Sequence, residues 1–121
     1  MIDISALDKF KNAYLELLDK KMELDINKEE LYLEVDYSIV DSIQHDINNL
    51  NLTINLFLDA KRNNDELAIQ AALLRMSTFL SSVSGVLEQT RGDIDRFVFA
   101  PDVAEFPENY KIPEHYNYFI K

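Results

Sequence analysis

The chain has no cysteine, and its first 84 residues contain neither glycine nor proline. Without cysteine there are no disulfides, no thiolate metal ligands and no cysteine nucleophile. Glycine and proline are the strongest local breakers of helix and strand, so a long run without them permits long uninterrupted helices. The only glycines are Gly85 and Gly92, and Pro101, Pro107 and Pro113 all fall in the last quarter. No glycine-rich loop exists to cradle a phosphate. The start, MIDISALDKF, lacks the basic and apolar regions of a signal peptide, and we expect a cytoplasmic protein.

Positive charge is also scarce. The formal net charge is −10, and between Glu23 and Asp46 eight acids face Lys28 as the only base. A field of that sign repels phosphate backbones, which argues against direct nucleic-acid binding and suits a basic protein partner. Length and a hydrophobic fraction of 47% fit one domain with a real core. We expect a single domain over 1–121, with a bundle over about 1–90 and a tail over 91–121.

Hydrophobic periodicity points to an all-α, antiparallel bundle of three main helices, two long and one shorter. Ile4, Leu7, Phe10, Tyr14, Leu17 and Leu18 form one stripe, which predicts a helix over about 5–23. Val40, Ile43, Ile47, Leu50, Ile54 and Phe57 follow heptad spacing and predict a second helix over about 34–61. Alternation at 31–39 and again at 50–58 is a strand signal, so the alternative is an α+β fold with short strands there. Asn27 and Glu30 have capping-box spacing, so a helix beginning near Lys28 is also open.

Arg62-Asn63-Asn64-Asp65 is a polar break from which the chain turns back. Ile69, Leu73, Met76, Leu80, Val83 and Leu87 then predict a third helix over about 65–90, apolar around most of its circumference and so buried on several sides. The stretch Leu67–Leu87 is long enough to raise the membrane question. Gln70, Arg75 and five Ser or Thr interrupt it, and we read it as a helix in water, with no membrane role. Arg75 sits either against Asp41 or Asp46 as an ion pair or on a solvent stripe above apolar neighbours.

The segment after Gly92 holds all three prolines and seven of the thirteen aromatic residues. We expect an irregular tail laid across the bundle, with Phe97 and Phe99 inward and the tyrosine-rich end outward.

Little in the chain carries chemistry. His45 and His115 are the only histidines, and no paired Glu-x-x-His motif exists for a bundle metal site. We expect no cofactor, no metal and no enzymatic activity. Arg91-Gly92-Asp93 matches an integrin-binding sequence and Asn51-Leu52-Thr53 a glycosylation sequon, and both matches are short enough to arise by chance.

What remains is an acidic, non-enzymatic interaction module, such as an inhibitor, immunity protein or chaperone acting on a basic partner. Glu30, Glu34 and Asp41 are the candidate steering residues, and Tyr110, Tyr116, Tyr118 and Phe119 the candidate anchors. The alternative is an acidic nucleic-acid mimic that blocks a DNA- or RNA-binding protein such as a nuclease or a CRISPR-type effector. For that reading Glu30, Glu34, Asp41 and His45 share one helical face. The second helix offers two apolar edges, Val40/Ile47/Ile54 and Leu52/Leu56, from which we expect a homodimer.

Overall fold

The computed structural model describes residues 2–21, 26–100 and 107–118. Helix α1 spans Ala6–Lys20, α2 spans Ile39–Arg62 and α3 spans Glu66–Val98. Single 3-10 turns lie at Lys28–Glu30 and Glu114–Tyr116. No strand occurs among the described residues, so the α+β alternative falls.

The two long helices form an antiparallel hairpin. Asp46 on α2 meets Ser82 on α3, where the serine hydroxyl donates to the carboxylate at 2.6 Å. At the tip, Asn64 adopts a left-handed conformation (φ 55°) and the Asp65 side chain accepts from Ala68 N–H at 3.1 Å. Asparagine tolerates that backbone better than most residues, and an Asp cap satisfies an orphan amide of α3. This is the break anticipated at Arg62–Asp65.

Helix α1 packs on one end of the hairpin only. Tyr14, Leu15 and Leu18 meet Leu31 and Leu33 of the connecting segment, Ile39 and Ile43 of α2, and Val86 of α3. The Tyr14 hydroxyl donates to the Asp93 carbonyl at 2.6 Å, and its ring meets Phe97 edge to face. At 1.5 Å per residue, α1 is about 22 Å long and α3 about 50 Å. The shorter helix therefore covers less than half of the longer one.

Several expectations are corrected. The second helix starts at Ile39, not near residue 34, because 31–38 is an irregular strap, extended at Leu31 and Ser38 with a turn at 35–36, whose backbone groups bond to side chains of α1 and α3. The expected capping box is a single 3-10 turn, with the Asn27 side chain accepting from Glu29 N–H at 3.0 Å. The first helix ends at Lys20; residues 22–23, the expected last turn, lie outside the described residues. The third helix runs on to Val98 rather than stopping near 90, passing through Gly92 and absorbing the first part of the expected tail. It is not buried on several sides, since only Ala72, Val86, Thr90 and Asp93 of its residues are buried. Phe97 does turn inward, while Phe99 is 76% exposed.

The Asn64 backbone gives a direct check. Asn64→Val should cost about 1–2 kcal/mol, the usual penalty for a left-handed L-residue, while Asn64→Gly should leave the thermal midpoint unchanged or raise it. Melting curves of the two variants would show the difference.

Candidate interaction surface

The strap that precedes α2 is held by three charged side chains from the two helices it crosses. Asp93 on α3 is 4% exposed, and its carboxylate accepts the backbone N–H of Tyr32 at 3.1 Å and of Leu33 at 2.7 Å. Lys11 on α1 is 3% exposed, and its ammonium donates to the carbonyls of Val35 (3.0 Å) and Tyr37. Asp8, one turn before Lys11, accepts from the Ser38 hydroxyl at 2.6 Å and from Ile39 N–H at 2.7 Å. It thereby caps α2 from outside, beside the Ser38 side chain, which accepts from Asp41 N–H at 3.0 Å. Partial burial disfavours the Asp8 charge, but the bonds from Ser38, Ile39 and Val40 and the nearby Lys11 charge hold its pKa below the ordinary 3.8.

Two tyrosines complete the strap. Tyr32 and Tyr37 share a hydroxyl–hydroxyl bond of 2.6 Å, with their rings edge to face. Burial first, then the bond to Tyr37 and the negative charges nearby, push the Tyr32 phenol up to about 12. Tyr32 therefore acts as a neutral hydrogen-bonding group at physiological pH. No buried side-chain N or O atom lacks a partner among the described residues.

This fixed strap displays the acids. Glu30 lies in the 3-10 turn and pairs with Arg96 of α3 at 3.1 Å. Glu34 is exposed on the strap and Asp41 is exposed in the first turn of α2. The three share one end of the molecule but not one helical face. The row that the mimic reading needs is broken, because Glu30 and Glu34 lie outside α2 while Asp41 and His45 lie on it. Arg75 is exposed on α3 and Asp46 bonds Ser82, so the solvent-stripe placement of Arg75 holds.

Of the candidate anchors, Tyr110, Tyr116 and Tyr118 are exposed, and Phe119 lies outside the described residues. Asp93 of the Arg91-Gly92-Asp93 tripeptide is buried within α3 and engaged by the strap, which leaves no presented integrin motif. The sequon lies within α2.

A broad apolar surface that sequence reading assigned to the core is open. On α3, Leu67 is 80% exposed, Leu74 70%, Leu80 53%, and Leu73 and Leu87 47% each. Leu52, Leu56 and Leu58 of α2 are exposed as well. The Leu52/Leu56 edge is thus open as anticipated, whereas Val40, Ile47 and Ile54 are half-buried against the hairpin. One signal could have revealed the bare leucines: a helix ending near residue 20 is too short to cover a partner that runs beyond residue 90.

Two clefts follow one flank of the hairpin. One, of about 470 Å³, lies among Ile47, Leu80, Val83, Leu87 and Arg91. The other, of about 290 Å³, lies among Ile2, Ile4, Ile43, Ile47, Val83 and Leu87. They share Ile47, Val83 and Leu87, so they lie side by side along that flank. A more polar cleft of about 470 Å³ sits beside the Glu30–Arg96 pair, near Ile26 and Phe99. Among the described residues, no group of three or more His, Asp or Glu is placed to hold a metal.

The strap geometry predicts how the fold responds to mutation and acid. Asp93→Ala leaves the amides of Tyr32 and Leu33 without their partner and should cost about 2–6 kcal/mol, at roughly 1–3 for each. Asp8 titrates below the ordinary carboxylate value in the folded state. Its contribution is therefore complete above pH 3.8 and fades as pH falls through the lower folded value. Asp8→Asn should flatten that acid limb in denaturant melts taken at a series of pH values. An unchanged limb would show that Asp8 does not hold the start of α2.

No protein-family model matches the chain, and no curated protein or solved structure matches it either.

Proposed function

We propose that the chain is a non-enzymatic protein–protein interaction module whose bare helical hairpin docks on a protein surface. The observation that carries this reading is the uncovered apolar length of α3. Between Glu66 and Glu88 its only charge is Arg75, yet little of that length is buried. Helix α3 is long and apolar enough, by length and composition, to cross a membrane. Its partner α2 argues for a protein cover instead. Exposed Asn48, Asn51, Asn55 and Asp59 run along α2, and Lys61, Arg62, Asp65 and Glu66 crowd the tip, all costly inside a bilayer.

Affinity and steering fall to different residues. A fully buried leucine is worth about 1.5–3 kcal/mol, whereas an exposed rim charge gives under about 1. Leu52, Leu56, Leu67 and Leu74, with exposed Tyr110, Tyr116 and Tyr118, supply the apolar area. Glu34 and Asp41, with Glu30 beside Arg96, attract a basic partner. An inhibitor, an immunity protein and a chaperone all work in this manner.

Affinity capture from a native lysate with the full chain, followed by mass spectrometry, tests the proposal. A basic protein should be captured, and the double variant Leu52→Glu/Leu74→Glu should lose it at least tenfold. Raised salt should slow the association rate far more than the dissociation rate. Truncation after Ala100 keeps every described core residue and should still melt cooperatively, so lost capture by it would assign the anchor to the tyrosines. Recovery of no protein, or capture indifferent to all these changes, would remove the proposal.

A further inference from the structure

We infer that the groove beside Leu80 is covered by a second copy of this chain, with the two α3 helices running antiparallel about a two-fold axis at Leu80. This rests on the reading of the hairpin as a docking element and names one of its partners. Leu73, Leu80 and Leu87 stand seven residues apart and so share one row of α3, drifting only about 20° per step. The spacing is symmetric about Leu80. Under a two-fold axis there, Leu80 meets its own copy and Leu73 meets the partner's Leu87. A self-complementary patch of this kind is what an isologous dimer requires.

Charge selects the direction. The row begins at Glu66 and ends at Arg91, and Arg75 lies about 140° around the helix from Leu80 at 100° per residue. Parallel pairing sets Glu66 against Glu66 and Arg91 against Arg91 of the partner. Antiparallel pairing avoids both like-charge contacts and aligns the helix dipoles favourably, while Arg91 stays paired with Glu88 and Asp95 of its own helix. It also sends the two α1 caps to opposite ends, where they do not collide. Ile2, 90% exposed at the edge of the same groove beside Leu87, then lies toward the partner's Leu73.

The area is sufficient. The chain exposes 9892 Å², whereas a compact monomer of its mass exposes about 6,700 Å². Part of the excess of roughly 3,000 Å² belongs to the exposed segment 107–118. A standard interface removes only about 800 Å² from each partner, which is less than that excess. Leu52, Leu56, Leu67 and Leu74 lie away from the groove, so self-pairing leaves them open to another protein.

Light scattering of the full chain at tens of micromolar should return twice the 14.1 kDa chain mass. Leu80→Glu places two like charges on the axis and should return the single-chain mass with helicity retained, while Leu52→Glu should stay dimeric. Because the chain has no cysteine, single cysteines report the register even where a charge disrupts folding. Leu80→Cys should form a symmetric disulfide on mild oxidation. Leu73→Cys should cross-link to Leu87→Cys in a mixture but not to itself. A wild-type chain at the single mass overturns the inference, and so does a dimer indifferent to Leu80→Glu or a Leu80→Cys chain that stays reduced. A single-mass chain that captures a foreign protein, or that sediments with phosphatidylcholine–phosphatidylserine vesicles, overturns self-pairing. In the first case the docking role survives, and in the second it falls too.

Discussion

The segment between α1 and α2 has no neighbouring strand to pair with, and two buried charges of opposite sign take that partner's place. The Asp93 carboxylate accepts from the amides of Tyr32 and Leu33, and the Lys11 ammonium donates to the carbonyls of Val35 and Tyr37. An anion has been matched to two donors and a cation to two acceptors, so each charge is solvated by backbone. Bonds to ionised groups are the stronger kind, and either charge would be prohibitive in the interior without them. Such an arrangement is intolerant of sliding. Sliding the strap past either helix would break these charge-assisted bonds together.

That tether determines where everything downstream lies. With Leu31 and Leu33 pinned inward, Ser38 arrives beside Asp8, and α2 begins where two oxygen acceptors meet its orphan amides. The core then closes around Tyr14, Leu18, Ile39 and Val86 at one end. The remainder of α2 and α3 projects beyond it as a two-helix shaft. Thr53, Ala60 and Ala72 are buried along that shaft, and their small size lets the helices lie close. A pair of helices buries one stripe on each member, however, and a helix carrying leucine on other sides keeps it in water.

This explains which parts of the structure were legible in the sequence. The absence of Gly and Pro and the heptad seams located the long helices, and Asn63-Asn64-Asp65 located the turn. Periodicity reports which residues share a face; it does not report how many faces are covered. Leu73, Leu80 and Leu87 looked like core for that reason, and the length of α1 decided otherwise. The alternation at 31–39 carried true information as well. Part of that chain is extended, but its hydrogen bonds run to side chains, so no sheet forms. The same alternation at 50–58 belongs to a helix, because there the heptad positions find a partner in α3. Asp93 gave no sign of its role, since an acid late in a helix is usually solvated and only the strap's arrival buries it.

The separation of charge from apolar surface has a consequence for recognition. The strap acids crowd the end that holds the core, while the shaft is almost uncharged along α3 for about 30 Å at 1.5 Å per residue. Screening limits the reach of surface charge to about 8 Å at physiological ionic strength, so acids at one end do not act at the far tip. A partner attracted by Glu34 and Asp41 is therefore oriented at the core end first. It meets the leucines only if its own surface extends along the hairpin. Long-range attraction and short-range burial are thus tied by geometry rather than by shared residues. A compact basic protein that contacts the acids alone gains encounter rate without affinity. Under the proposed docking role, a partner that is basic at one end and apolar along its length gains both.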